Sequence, residues 1–115
     1  MYNIIIMKKI IFIGHSLEDI KNFSLEAKRE IGYQLDRVQR GKDPLDWKPM
    51  QGIGSGVKEI RIRDKEGIYR VIYVAKFETA IYVLHAFQKK TQKTSQHDIE
   101  MASRAFKRVL EERKS

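Results

Sequence analysis

The sequence predicts an α+β domain: a small antiparallel, in part mixed, β-sheet preceded by a helix pair and followed by one C-terminal helix. Three observations predict it. Between Val57 and Phe87 lie three short runs rich in β-branched and aromatic residues, joined by tight turns. From Leu17 to Val38, and again from Ile99 to Leu110, apolar residues recur at helical spacing. With 115 residues the chain suits one domain over its whole length, one that buries about two thirds of the surface its unfolded chain exposes.

The first apolar run, Ile10-Ile11-Phe12-Ile13, closed by Gly14, predicts a buried strand. Ser16 offers an N-cap, and Asp19 places negative charge in the first turn that follows. Leu17, Ile20 and Phe23 share a face. After a second cap at Ser24, Ala27, Ile31, Leu35 and Val38 continue the stripe, which predicts a helix pair or one bent helix. Arg40-Gly41 ends it, Asp43-Pro44 turns the chain, and the stretch to Gly56 is expected to be loop.

The three runs form a meander. Ile60 and Ile62 point one way while Glu59, Arg61 and Arg63 point the other, and Asp64-Lys65-Glu66-Gly67 makes the hairpin turn. Ile68 to Lys76 carries Val71 and Tyr73 on one face and Arg70, Ile72 and Val74 on the other, as expected of a central strand covered on both sides. Ile81 to Phe87 is the third strand. Ser95 and Asp98 make a capping pair for the last helix, whose stripe is Ile99, Ala102, Phe106, Val109 and Leu110. The order of elements predicts helices on one face of the sheet and an open opposite face.

A net charge of +8 and a pI near 9.8 favour an acidic partner, nucleic acid first. The absence of cysteine excludes disulfides, cysteine-based zinc sites and thiol catalysis. The apolar start ends at Lys8-Lys9, too short for a membrane span or a standard secretory signal, so a cytoplasmic protein with no membrane association is expected. Met7 is a second candidate start, which would make residues 1–6 an N-terminal extension. His15, His85 and His97 are scattered and match no ligand spacing, so neither metal nor cofactor is expected.

The segments Gly56-Val57-Lys58-Glu59-Ile60-Arg61, Tyr69-Arg70-Val71-Ile72-Tyr73 and Leu84-His85-Ala86-Phe87-Gln88-Lys89-Lys90-Thr91-Gln92-Lys93-Thr94 resemble the RelE/HigB-type toxins of bacterial and phage toxin–antitoxin modules, in particular their phage-derived branch. The likeness runs nearly end to end and includes Gly32-Tyr33-Gln34-Leu35 and Trp47-Lys48-Pro49-Met50. It implies a RelE-like microbial ribonuclease toxin fold and a ribosome-dependent, metal-independent mRNA endoribonuclease, an mRNA interferase that inhibits translation. It also implies a cognate antitoxin of the HigA helix-turn-helix type, with the toxin monomeric alone or in a heterotetramer with the antitoxin. A non-enzymatic ParE-like toxin acting on DNA gyrase shares the fold and is the alternative.

By that resemblance Arg61 and Arg70 match the arginines in the sheet, and Lys89 and Lys90 match the basic residues after the last strand. Metal-free cleavage needs a base for the 2′-hydroxyl, a cation for the phosphoryl oxygens and an acid for the leaving 5′-oxygen. Arginine suits the second task because its fork stays charged and binds two oxygens at once. Arg61, Arg70, Lys90 and His97 are therefore the catalytic candidates, and Lys58, Lys89, Lys93 and Phe87 the RNA-binding ones. The acid and base stay open among His97, Lys90, Lys93 and ribosomal groups. Arg61 and Arg63 could instead be a solvated face, Phe87 and Tyr69 core residues, and His85 a satisfied sheet histidine. Trp47 either packs over the core or meets the antitoxin.

Overall fold

The computed structural model describes residues 7–89 and 93–114. In chain order they form β1 (Lys9–Phe12), α1 (Ser16–Lys21), α2 (Leu25–Gln39), β2 (Trp47–Pro49), β3 (Val57–Asp64), β4 (Gly67–Val74), β5 (Ala80–Lys89) and α3 (Gln96–Lys114). The five strands make one mixed sheet in the order β1-β5-β4-β3-β2, with β1 parallel to β5 and the other neighbours antiparallel. The α+β class expected from the sequence is the class observed. Residues 1–6, and with them the suggested extension, lie outside the described residues.

The helix pair is present, and its local signals work differently at the two starts. Ser24 caps α2, its Oγ accepting the Ala27 N–H at 3.0 Å. Ser16 does not cap α1; it is the first helical residue, buried, and its hydroxyl donates to the Val83 carbonyl at 3.3 Å. Packing against β5 claims it. Gly41 ends α2 at φ +83°, a backbone conformation that suits glycine. Trp47–Pro49 is not loop but the edge strand β2, paired with Lys58 to Ile60 of β3.

One face of the sheet buries Ile60, Ile62, Val71, Tyr73, Ile81 and Val83 under Ala27, Ile31, Leu35 and Val38 of α2. The other face is not open. Val57, Ile72, Val74 and Leu84 pack against Ala102, Phe106 and Val109 of α3, so the sheet is sandwiched between helices. The reason is in β4: both of its faces are apolar over Val71 to Val74, and an apolar stripe on α3 needs such a partner.

A bulge shapes β5. Ile72 pairs with His85 while Tyr73 pairs with Val83, which leaves Leu84 as an extra residue. The shift reverses the alternation. Tyr82 below it and His85, Phe87 and Lys89 above it all turn toward the α3 face, although the former is an even position and the latter are odd.

Candidate functional site

Arg61 and Arg70 are direct cross-strand partners on the α3 face, and Phe87 stands opposite Arg70 on β5. The next row toward the hairpin is Arg63, Ile68 and Lys89. Two cations facing each other across a sheet repel, so each needs a counter-charge. Arg70 finds Glu59: its Nη1 donates to Glu59 Oε1 at 2.6 Å, and the other carboxylate oxygen accepts the Thr94 hydroxyl at 2.7 Å. Lys48 Nζ lies 3.9 Å from the same carboxylate. Arg70 and Glu59 are both 0 % exposed.

Arg70 is therefore a buried partner of Glu59 and has no surface at which a phosphate could meet it. It joins β4 to β3 and to the turn that leads into α3. Arg61 is different. Its side chain is 25 % exposed, Asp46 Oδ1 stands 3.7 Å from its Nε, and that buried nitrogen makes no hydrogen bond. A buried donor left without an acceptor costs about 1–3 kcal/mol, and it is the exposed quarter of the Arg61 side chain, not this nitrogen, that solvent reaches.

The remaining candidates divide. Lys89 lies on the α3 face, its Nζ 3.6 Å from Asp98 Oδ2. Phe87 is buried in the α3-side core and stacks on His85 at 5.2 Å, which occupies one face of its ring. Lys93 and His97 are exposed, the latter in the first turn of α3. Lys58 is on the opposite sheet face, beside Tyr73, where its Nζ lies 2.7 Å from Asp43 Oδ1 and 4.4 Å from the Trp47 ring centroid. It does not converge with Arg61. Lys90 lies outside the described residues.

One pair was not anticipated as functional: His85 Nε2 lies 2.8 Å from Asp98 Oδ1. Burial pushes the Asp98 carboxyl up, but the Ser95 hydroxyl, His85 and Lys89 outweigh it and hold the group below its usual 3.8. The Ser95 and Asp98 spacing was legible as a cap, and Asp98 N–H does donate to Ser95 Oγ at 3.2 Å. Nothing in the sequence links residue 85 to residue 98. Among the described residues no group of three or more His, Asp or Glu stands close enough to hold a metal ion.

A family model described as phage-derived protein Gp49-like (DUF891) matches residues 18–107, well over half of the chain. The chain belongs to the Gp49-like family. Gp49-like proteins are RelE/HigB-like toxins of toxin–antitoxin systems, and the observed sheet and helices are compatible with a RelE-like fold. Membership implies a cognate antitoxin. No curated protein matches the chain. Among the described residues of this Gp49-like chain no helix is long and apolar enough to cross a membrane.

Proposed function

We propose that this Gp49-like toxin is a ribosome-dependent mRNA endoribonuclease that inhibits translation. The observation that carries the reading is Arg61: a half-buried cation with an unsatisfied donor, beside Arg63 and with Lys89 on the same sheet face. Such a row suits an RNA backbone, since phosphate contacts are made by long cations and set the register of the strand. A gyrase-binding toxin needs no cations gathered on one face.

In this reading the 2′-hydroxyl attacks the adjacent phosphorus, and Arg61 opposes the charge that grows on the phosphoryl oxygens. Arg70 acts through Glu59 and Thr94, fixing the floor on which Arg61 stands and the turn into α3. It is a positioning residue. Lys89 and Lys93 bind flanking phosphates, as does Lys90 by its place in the sequence; His97, exposed at the start of α3, is available to donate a proton. Lys58 on the far face belongs to a separate contact. The mRNA would be met in the decoding site, and the antitoxin, of the HigA type, would withhold the toxin from it.

Primer extension on a reporter mRNA with purified ribosomes tests this, comparing wild type, Arg61→Ala and a reaction without ribosomes. Codon-phased cuts are expected only with wild type and ribosomes, and Arg61→Ala should be slower by about 10²- to 10³-fold. No cuts under any condition would overturn the reading and turn attention to gyrase.

A further inference from the structure

We propose that His85 is the general base of the cleavage reaction, held in its working orientation by Asp98, and that the RNA phosphodiester it acts on lies in a groove between α1 and α3. This rests on the ribonuclease reading and names the residue that takes the proton.

The imidazole stands just past the β5 bulge and reaches across to the first turn of α3, where Nε2 lies 2.8 Å from Asp98 Oδ1. Asp98 is itself fixed. Its Oδ2 accepts the Ser95 hydroxyl at 2.6 Å, and its own N–H donates to Ser95 Oγ. An ionised carboxylate only accepts, so Nε2 carries a proton and, in the neutral ring, Nδ1 is left as the lone pair. This is how a carboxylate prepares a histidine to take a proton at its opposite nitrogen. Phe87, stacked at 5.2 Å with 25° between the planes, fixes the ring's tilt.

A histidine that only tied β5 to α3 would need no opening at its ring, but this one has two. The His85 side chain is 13 % exposed and borders a cleft of about 220 Å³ with His15, Arg104 and Arg108. It also borders one of about 330 Å³ with Asn22, Phe87 and Gln88. Asp19 and His85 line both, so the two clefts lie on either side of that pair. The groove exists because β1 pairs with β5 only as far as Val83. Beyond that point α1 stands beside β5 in place of a strand. Arg104 and Arg108 lie at one end and Lys89, which shares Asp98, toward the other, a spacing of cations that suits a phosphate chain. Arg61 lies two strands across, about 10 Å at about 4.8 Å per strand, and two residues along, about 7 Å, so about 12 Å away, within the combined reach of an extended arginine and a phosphate group.

In the reaction, Nδ1 takes the proton of a ribose 2′-hydroxyl as that oxygen bonds to the adjacent phosphorus and the bond from phosphorus to the 5′-oxygen breaks. The leaving 5′-oxygen takes a proton from His97, and water carries the proton held by His85 back to His97. The products are a 2′,3′-cyclic phosphate and a 5′-hydroxyl end. The charged and titratable groups facing the ring are Asp98, Arg104 and Arg108 on α3, Lys89 on β5, Asp19 on α1 and His15 before it.

The test is single-turnover cleavage of a reporter mRNA on purified ribosomes, with rates followed across pH, for wild type and His85→Gln. Glutamine can still donate an N–H to Asp98 but cannot serve as a base. The expected result is a rate about 10²- to 10⁴-fold lower, loss of the acid limb of the pH–rate profile, and unchanged ribosome affinity and thermal midpoint. His85→Gln cutting at the wild-type rate with the wild-type profile would overturn the inference while leaving the ribonuclease reading intact. A wild type that cuts nothing would overturn both. Should His85→Gln fail to fold, Asp98→Asn decides: a slowed rate with a shifted pH profile supports the orientation argument, and wild-type behaviour overturns it.

Discussion

Arg70 shows how burial changes the meaning of a residue type. A guanidinium in a strand of a basic protein invites a phosphate-binding role, yet here it is enclosed with Glu59 and Thr94. Buried ion pairs contribute little net stability, because desolvating both charges offsets most of their attraction, but removing one partner leaves the other charge stranded. Arg70→Met alone should therefore destabilise the fold by about 3–5 kcal/mol, while Arg70→Met combined with Glu59→Leu should recover most or all of that loss. Urea unfolding of the two single variants and the double variant measures it. A loss in the double variant equal to the sum of the two single losses would show that the pair is not a unit. Loss of toxicity in Arg70→Ala would likewise be ambiguous, whereas Arg61, at the surface, gives a clean reading of the chemistry.

At the scale of elements, the start of α2 and the β3–β4 hairpin are one construction. Ser24 Oγ accepts the Ala27 N–H and donates to Asp64 Oδ2 at 2.6 Å, and that hydroxyl is the main reason the Asp64 carboxyl lies below its ordinary value. Ser24→Ala removes the cap and the hairpin contact together. The expected loss is about 1–2 kcal/mol in thermal or denaturant unfolding, at the upper end of cap substitutions. Ser24→Asp keeps a capping oxygen but sets a second carboxylate against Asp64. It should therefore fall short of wild type, and more so at neutral pH than below the carboxylate range. The β5 bulge works at the same scale: one extra residue turns His85, Phe87 and Lys89 to the face that carries Arg61. Without it the lysine and the arginines would lie on opposite sides of the sheet.

For the molecule as a whole, the excess of 23 basic over 15 acidic residues gives the +8 charge, and part of it is already engaged inside the fold. Arg70 with Glu59 is buried and closed to a partner, whereas Lys58, paired with Asp43, stays part-exposed on the far face, and Lys89, paired with Asp98, lies on the α3 face. Replacing Lys89 and Lys90 with alanine should weaken ribosome association and reduce its salt dependence by about one unit of log–log slope for each phosphate no longer neutralised. Binding measured from low to moderate salt tests this. A weakened affinity with an unchanged slope would mean that the lysines act through local geometry rather than through counterion release.

The sequence by itself determined the class of the fold, the helix pair, the α2 stripe, the Asp64–Gly67 turn and the Ser95–Asp98 cap. Each is written in local spacing, which needs only neighbours along the chain. It also carried the likeness to toxin–antitoxin toxins, and the Gp49-like match bears that out at the level of the family. What tertiary structure decided was pairing across distance. Ser16 gave up capping for the Val83 carbonyl, Trp47 to Pro49 became an edge strand against β3, and α3 closed the face expected to be open. Arg70 went inside for the same reason, whereas the far-face position of Lys58 follows from the strand's period of two. A side chain's partner depends on strand register and on the helix that covers it, and neither the Leu84 bulge nor the meeting of His85 with Asp98 leaves a mark in local periodicity.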